Sequence, residues 1–384
     1  MKTYNIGIIG YGGFGQFLHN SWKNLDKVRV TAVADEIPER NPGGKIKFYD
    51  RWQDLIEDKN LDIISIVTPP NSHSQIACAA MEAGKHILVE KPIATSIEEG
   101  RKILAVREKM GRVGTVNFML RFNPLVGILG RLTADGIFGE LRHANVENYA
   151  QDEGLPPEHW FWDHELAGGI LIEHAVHFID LVHSLTEQEF KRVYGLKHNR
   201  NPRQEDQVLA AVEYDGGLIA THYHAFSRPG FFENTSVRLV YDLAQIDIEG
   251  WIPLTGRISV LVSSDSKKKV MELPNFKIEQ LVGVDQVGDD SRPEGWGSAL
   301  QSVGKLDRRK VRSGGVEYEV EQMLVGWFDV GRPKQEVYAD CVRGMMSDMV
   351  KKIENPDHKL RVTLEDGLSS LEIACLATDV SRQK

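Results

Sequence analysis

A chain of 384 residues, 41% hydrophobic and 26% charged, has the composition of a globular protein and the length of two domains. A formal net charge of −9 excludes a general nucleic-acid or anionic-membrane partner, since both need clustered Lys and Arg. Cys78, Cys341 and Cys375 lack metal or redox spacing, no apolar run has transmembrane length, and the N-terminus lacks a signal-peptide layout, so a cytoplasmic location is expected.

Strand and helix patterns alternate along the first part of the chain. "YNIGIIG" reads as a strand, "GQFLHNSWKNL" as a helix and "VRVTAVAD" as a second strand. "DRWQDLIEDKN" reads as a helix opened by Asp50, and "LDIISIVTP" as a strand stopped by Pro69 and Pro70. "HSQIACAAMEAG" is a helix with Gly84 just past its end. "KHILVEKP" is a strand, and the helix "SIEEGRKILAVREKMG" has Ser96 and Glu99 placed for a capping box. "RVGTVNFML" closes this set. After Arg121 short strands joined by turns take over, among them "ELRHANVENYA", "DQVLAAVEYDGGLIATHYHAF", "TSVRLVYDLAQIDIEG" and "RISVLVSS". Residues 264–315 are polar and rich in Gly, Lys and Asp, a long excursion; helices are expected at 335–353 and 365–382. The fold class is α/β: a Rossmann dinucleotide-binding domain over 1–123, then an α+β domain over 124–384 with a large, mainly antiparallel sheet.

"GYGGFG" places Gly10, Gly12 and Gly15 as G-x-G-x-x-G between the first strand and its helix. Gly10 permits the tight turn, Gly12 lets backbone approach a pyrophosphate, and Gly15 allows close helix–strand packing. Tyr11 and Phe14, within the same turn, are counted as cofactor contacts. Asp35 ends the second strand 20 residues after Gly15, where a carboxylate accepts ribose hydroxyls and repels a 2′-phosphate. Glu36 adds negative charge, with Arg40 not far. NAD is the expected cofactor.

Downstream, "TPPNSH" (68–73), "EKP" (90–92), "RFNP" (121–124) and "LAGGILIEHAVHFIDL" (166–181) follow in order. With the glycine turn they resemble the glucose–fructose oxidoreductase/inositol 2-dehydrogenase (Gfo/Idh/MocA) family over residues 4–262 and 335–380. The resemblance implies that Thr68, Pro69, Asn71 and His73 line the nicotinamide side of the cofactor. It implies that Glu90, Lys91 and Pro92 form the E-K-P motif, with Lys91 on the reacting hydroxyl and a cis peptide before Pro92. Glu173 and His177 align with a D-x-x-x-H pattern whose histidine is the general base, and the substrate is a sugar, sugar nucleotide or cyclitol. Departures are Glu173 for aspartate, Ile170 and Ala175 for glycines, Met119 for asparagine and Phe161 for arginine.

On a helix Glu173 and His177 share one face with Asp180 beside them, while Leu171, Ala175, Phe178, Ile179 and Val182 fall opposite. Glu173 is expected to orient His177 or to bind a substrate hydroxyl. A metal on His174 and His177 needs a third ligand such as His222 or His224, and H-x-x-H alone is a weak signal, so no metal is expected. His174 is read either as structural or as a substrate contact. Arg121 and Trp160 are further substrate-contact candidates; His222 and His224 either line the cavity or pack. The leading function is NAD-dependent oxidation of a secondary hydroxyl of a sugar or cyclitol. An NAD-dependent glycosidase and a non-enzymatic NAD(H) sensor are the alternatives. A dimer or tetramer is expected by analogy.

Overall fold

Apolar runs rich in Val and Ile and too short for helices make most of the first sheet. In the computed structural model, which describes residues 2–286 and 309–383, these are β1 (Tyr4–Ile9), β2 (Val28–Ala34), β3 (Lys47–Tyr49), β4 (Ile63–Ile66), β5 (His86–Val89) and β6 (Gly114–Val116). They pair in parallel in the order β3-β2-β1-β4-β5-β6. β4 is wholly buried, as a strand covered on both faces must be. The order reverses between β1 and β4, so a crevice opens at their carboxyl ends.

The connecting helices are α1 (Gly13–Trp22), α2 (Trp52–Ile56), α3 (His73–Glu82) and α4 (Ile97–Met110), with α5 (Pro124–Ala134) after the sheet. α2 is shorter than its sequence suggests. Its N-cap is Arg51, not Asp50, just after Lys47–Tyr49 pair with β2, and only five residues are helical. Gly84 follows α3 with φ +83, as expected of a helix stop. Ser96 Oγ accepts from the Glu99 amide, but the Glu99 carboxylate takes the hydroxyls of Thr95 and Ser96 and does not complete a capping box.

The second sheet takes β7 (Leu141–Gln151), β8 (Phe190–Asn199), β9 (Glu205–Tyr214), β10 (Ile219–Arg228), β11 (Asn234–Tyr241), β12 (Ala244–Glu249), β13 (Thr255–Val262), β14 (Lys277–Gly283) and β17 (Gln322–Asp329). Their order is β14-β17-β13-β12-β11-β7-β10-β9-β8, antiparallel except for the β7–β10 pair. Alternate residues of β9 and β13 are buried, so one face packs inward. α6 (His164–Ala167), a π-helical turn (Leu171–Ala175) and α7 (Val176–His183) lie between β7 and β8. The run His164–His183 is long and apolar enough to cross a membrane by length and composition, with a mean hydropathy of 1.2 over its 18 most apolar consecutive residues, yet 83% of that stretch is buried inside the protein.

The polar excursion is partly sheet. α8 (Ser264–Val270) leads to β14, which adds to the large sheet beside β17, and β15 (Lys310–Ser313) pairs with β16 (Val316–Glu319). Asp242 ties that hairpin down, accepting from Ser313 Oγ at 3.0 Å, Tyr318 Oη at 2.7 Å and the Arg142 guanidinium. The remainder of that excursion, 287–308, lies outside the described residues.

α9 (Lys334–Glu354) and α10 (Leu364–Arg382) run back to the nucleotide sheet. Trp22 Nε1 donates to the Val342 carbonyl at 3.1 Å, and Thr115 Oγ1 donates to the Val362 carbonyl at 2.8 Å. A side chain at Gly367 would collide with Val116 and Ile93, so α10 lies directly against β6.

Candidate active site

The glycine turn is built for a phosphate. Gly10 has φ +89 and no room for a Cβ against the Val67 carbonyl; a Cβ on Gly15 would run into the Gly10 carbonyl. α1 starts at Gly13 with no side chain capping it and no acidic residue in its first turn. Its first N–H groups and positive dipole end therefore stand uncapped at the glycine turn. Asp35 Oδ2 accepts from the Tyr11 amide at 2.7 Å, fixing the turn against β2. The buried Tyr11 side chain reaches His19 Nδ1 at 2.5 Å, so its ring packs beneath the turn. These residues fit a dinucleotide.

Beyond the turn, a cavity of about 260 Å³ opens at the carboxyl ends of β4, β5 and β6. Phe14, Thr68, Glu90, Lys91, Trp160, Glu173 and His177 line it, joined by Val67, Pro70, Asn117, Met119, Trp251 and Tyr338. Lys91 follows β5 and precedes a cis Lys91–Pro92 peptide. Its Nζ donates to Glu173 Oε1 at 2.5 Å and to the Glu173 carbonyl at 2.8 Å, crossing from the first sheet to the π-helical turn. Burial pushes the Glu173 carboxyl up, but the Lys91 ammonium, His174 and the Lys91 hydrogen bond outweigh it and hold the group below its usual range. His177 is pushed well below its usual value by burial and by Lys91, and its Nδ1 is buried without a protein partner. Burial raises Glu90 to about 7 although Asn117 Nδ2 donates to it.

Several residues singled out in the sequence stand elsewhere. Glu173 grips Lys91 and makes no hydrogen bond to His177. Asp180 turns from the cavity to Arg121, whose Nε and Nη2 donate to it at 2.9 and 2.7 Å. Arg121 also pairs with Asp366 at 3.0 Å, so both its ends serve the join between β6, α7 and α10, not a substrate. His73 is fully buried, its ring nitrogens 2.7 and 2.9 Å from the carbonyls of Pro92 and Thr68. It ties two loops together behind the cavity. Pro69 and Asn71 are exposed and do not line the cavity; Pro70 does. His174 packs on His224, with ring centroids 5.5 Å apart, and on Phe226, away from the cavity. His222 and His224 are fully buried on the inner face of β10. Phe161 joins the same aromatic packing against Phe226. Among the described residues no three His, Cys, Asp or Glu side chains group closely enough to hold a metal.

Residues 4–118 match the family model described as oxidoreductase family, NAD-binding Rossmann fold, and residues 129–240 match the GFO/IDH/MocA C-terminal domain. The chain belongs to the Gfo/Idh/MocA family. It is 28% identical over 226 residues to an inositol 2-dehydrogenase/D-chiro-inositol 3-dehydrogenase of Lactiplantibacillus plantarum, covering 56% of this chain and 62% of that protein. It is 30% identical over 224 residues to a scyllo-inositol 2-dehydrogenase (NAD(+)) of Bacillus subtilis, covering 55% and 64%. The chain therefore spans less than two thirds of either relative. The fold matches that of an aldose-aldose oxidoreductase from Caulobacter crescentus with a TM-score of 0.71 at 18% identity, over 99% of this chain and 98% of that one.

Within this Gfo/Idh/MocA chain, sequence reasoning missed Asn117, Trp251 and Tyr338. Asn117 was legible, since it follows β6 at the sheet edge where ligands bind. Trp251 sits in the turn after β12 with its ring edge-on to His177, 5.3 Å between centroids. Tyr338 comes from α9 and stacks beside Phe17 and Trp251. Neither aromatic carries a local signal, because only the return of distant segments brings them to the cavity.

Proposed function

We propose that this protein is an NAD-preferring dehydrogenase that oxidises a secondary hydroxyl of a sugar, sugar derivative or cyclitol to a ketone. One observation carries the reading: Lys91, Glu173 and His177 converge on a single cavity beside the glycine turn. A bound dinucleotide supplies the hydride acceptor there. Lys91, held by Glu173, donates a hydrogen bond to the substrate oxygen and stabilises its alkoxide character. His177 is neutral near pH 7 because burial depresses it, so it is in the form that accepts the hydroxyl proton. Trp160, Trp251 and Met119 offer apolar surface to the C–H faces of a ring-shaped polyol. The inositol-oxidising relatives support a polyol substrate.

Residues 1–123 hold the cofactor on this reading, and 124–384 supply the substrate side. Copies of the chain pair through the outward face of the large sheet, where Arg238, Arg257, Asp247 and Glu249 put both signs of charge on one surface, one way to meet the self-complementarity of a two-fold contact. Light scattering checks that pairing.

The activity test is a panel of sugars and cyclitols assayed for reduction of NAD. Substrate-dependent NADH formed in proportion to ketone is the expected result. Cleavage of an aryl glycoside without net NADH overturns the reading in favour of a glycosidase. Asp35→Ser removes the carboxylate that repels a 2′-phosphate and narrows the ratio of kcat/KM between NAD and NADP.

A further inference from the structure

Glu205 opens β9 and stands outside the cavity, with a side chain only 6% exposed. Its Oε2 faces two cations without a hydrogen bond to either, His164 Nε2 at 3.8 Å and Lys197 Nζ at 3.9 Å. Its Oε1 accepts from the Ile170 amide at 3.2 Å. That amide belongs to the same peptide unit as the Gly169 carbonyl, which accepts from the Glu173 amide at 2.8 Å. One planar unit is therefore gripped at both ends. Beyond it, the Glu173 carbonyl and carboxylate both accept from Lys91 Nζ. A run of hydrogen bonds thus leads from Glu205 to the lysine inside the cavity.

The grip matters because the chain is free to turn here. Gly168 and Gly169 have φ +84 and +104, and two adjacent glycines let the peptide beyond them swing with little steric resistance. A Cβ on Gly169 would stand 3.1 Å from Glu205 Oε1 and 2.9 Å from His164 Cε1. The glycine lets the carboxylate in, and the carboxylate holds the glycine's peptide still.

We propose that Glu205 is a positioning residue for Lys91. Through the Gly169–Ile170 peptide it sets where Glu173, and with it the lysine, stands against the substrate hydroxyl. An acceptor oxygen at that reach is what the Ile170 amide requires; a negative charge is not. This rests on the dehydrogenase reading above.

The test compares Glu205→Asp, Glu205→Gln and Glu205→Ala with the unaltered chain, on the best substrate of the polyol panel. Glu205→Asp keeps the charge but draws the oxygen back by the length of a methylene. Glu205→Gln keeps an acceptor oxygen at full reach and gives up the charge. Glu205→Asp and Glu205→Ala should lower kcat about tenfold, since misplacing a reacting group by about 1 Å costs up to about a hundredfold. Glu205→Gln should keep kcat within about threefold. NAD affinity, read by calorimetric titration, should stay within about twofold in all three, because the glycine turn belongs to the other domain. Thermal melting checks that each variant is folded at the assay temperature, and the first two decide the matter if Glu205→Ala is not. Full turnover in Glu205→Asp, or an equal loss in Glu205→Asp and Glu205→Gln, overturns the proposal while leaving the dehydrogenase reading standing. A fall in NAD affinity as large as the fall in kcat overturns it too. If the unaltered chain oxidises no polyol, the dehydrogenase reading itself fails and the proposal with it.

Discussion

Glu173 holds Lys91 twice, through its carboxylate at 2.5 Å and its own backbone carbonyl at 2.8 Å. The two side chains are only 15% and 12% exposed, so this ion pair is largely shielded from water. Removing one member leaves the other charge buried, a loss of about 3–5 kcal/mol in comparable sites. Glu173→Ala should lower the denaturation free energy by about 3 kcal/mol and cut kcat/KM as well. Glu173→Gln keeps an acceptor and should lose less of both. Urea unfolding beside steady-state kinetics checks this, and a Glu173→Ala protein of normal stability would show the pair to be incidental.

His177→Ala should lower kcat by about 10²–10⁴ with little effect on NAD affinity. The histidine comes from α7, packs on Phe118 and Trp251, and lines the cavity. Near-normal turnover in this variant would move the base elsewhere, with Glu173 the next candidate.

The pH–rate profile should rise through about 7, and the titrating group should be Glu90. Burial holds its carboxyl near that value, whereas His177 is already neutral there. Below about 7, protonation of Glu90 removes a negative charge that favours the imidazolium formed by proton transfer. Glu90→Gln should abolish the acid limb. A limb that persists at the same pH in that variant refutes the assignment.

Acid should destabilise the fold through histidines that take no part in the chemistry. Burial lowers His174 to about 4 and His222 to about 3, and pushes His224 well below its usual value. Their folded forms resist protonation, while unfolded histidine takes a proton below about 6.5. Stability is therefore complete above about 6.5 and lost as pH falls from there toward 4, at about 1.4 kcal/mol per pH unit for each such histidine. Denaturant midpoints at a series of pH values give the slope, which His222→Gln should reduce by about that amount. An unaltered slope would count against burial as the cause.

The nucleotide half was legible because short Val/Ile-rich runs, glycine stops and the glycine turn are local signals. So were β7, the β9–β10 and β11–β12 hairpins, β13 and the two long helices. β3, β8, β14, β15, β16 and β17 were not. Their strands are edge or late additions, and exposed Tyr194, Leu196 and Ile278 blur the alternation that marks a half-buried strand. At the site, Lys91, Glu173 and His177 line one cavity. The sequence could not say that Glu173 faces Lys91 and not His177. Glu173 sits within a π-helical turn, Leu171–Ala175, whose spacing a regular i, i+4 reading does not anticipate. Arg121 and His73 misled for one reason: a polar side chain in a family landmark can serve the scaffold, and only its partners tell which.

The return of α9 and α10 to the first sheet also bears on how the protein comes into being. Trp22 and Thr115 receive their partners, Val342 and Val362, from segments made more than two hundred residues later. At ordinary ribosomal speeds of about 5–20 residues per second, that interval is roughly tens of seconds. Through it the faces of β6 and α1 that α10 and α9 will cover remain bare, although the strands between them are already made. The nucleotide half is thus begun first and completed last, and the interval in between is when a nascent chain most needs a holdase.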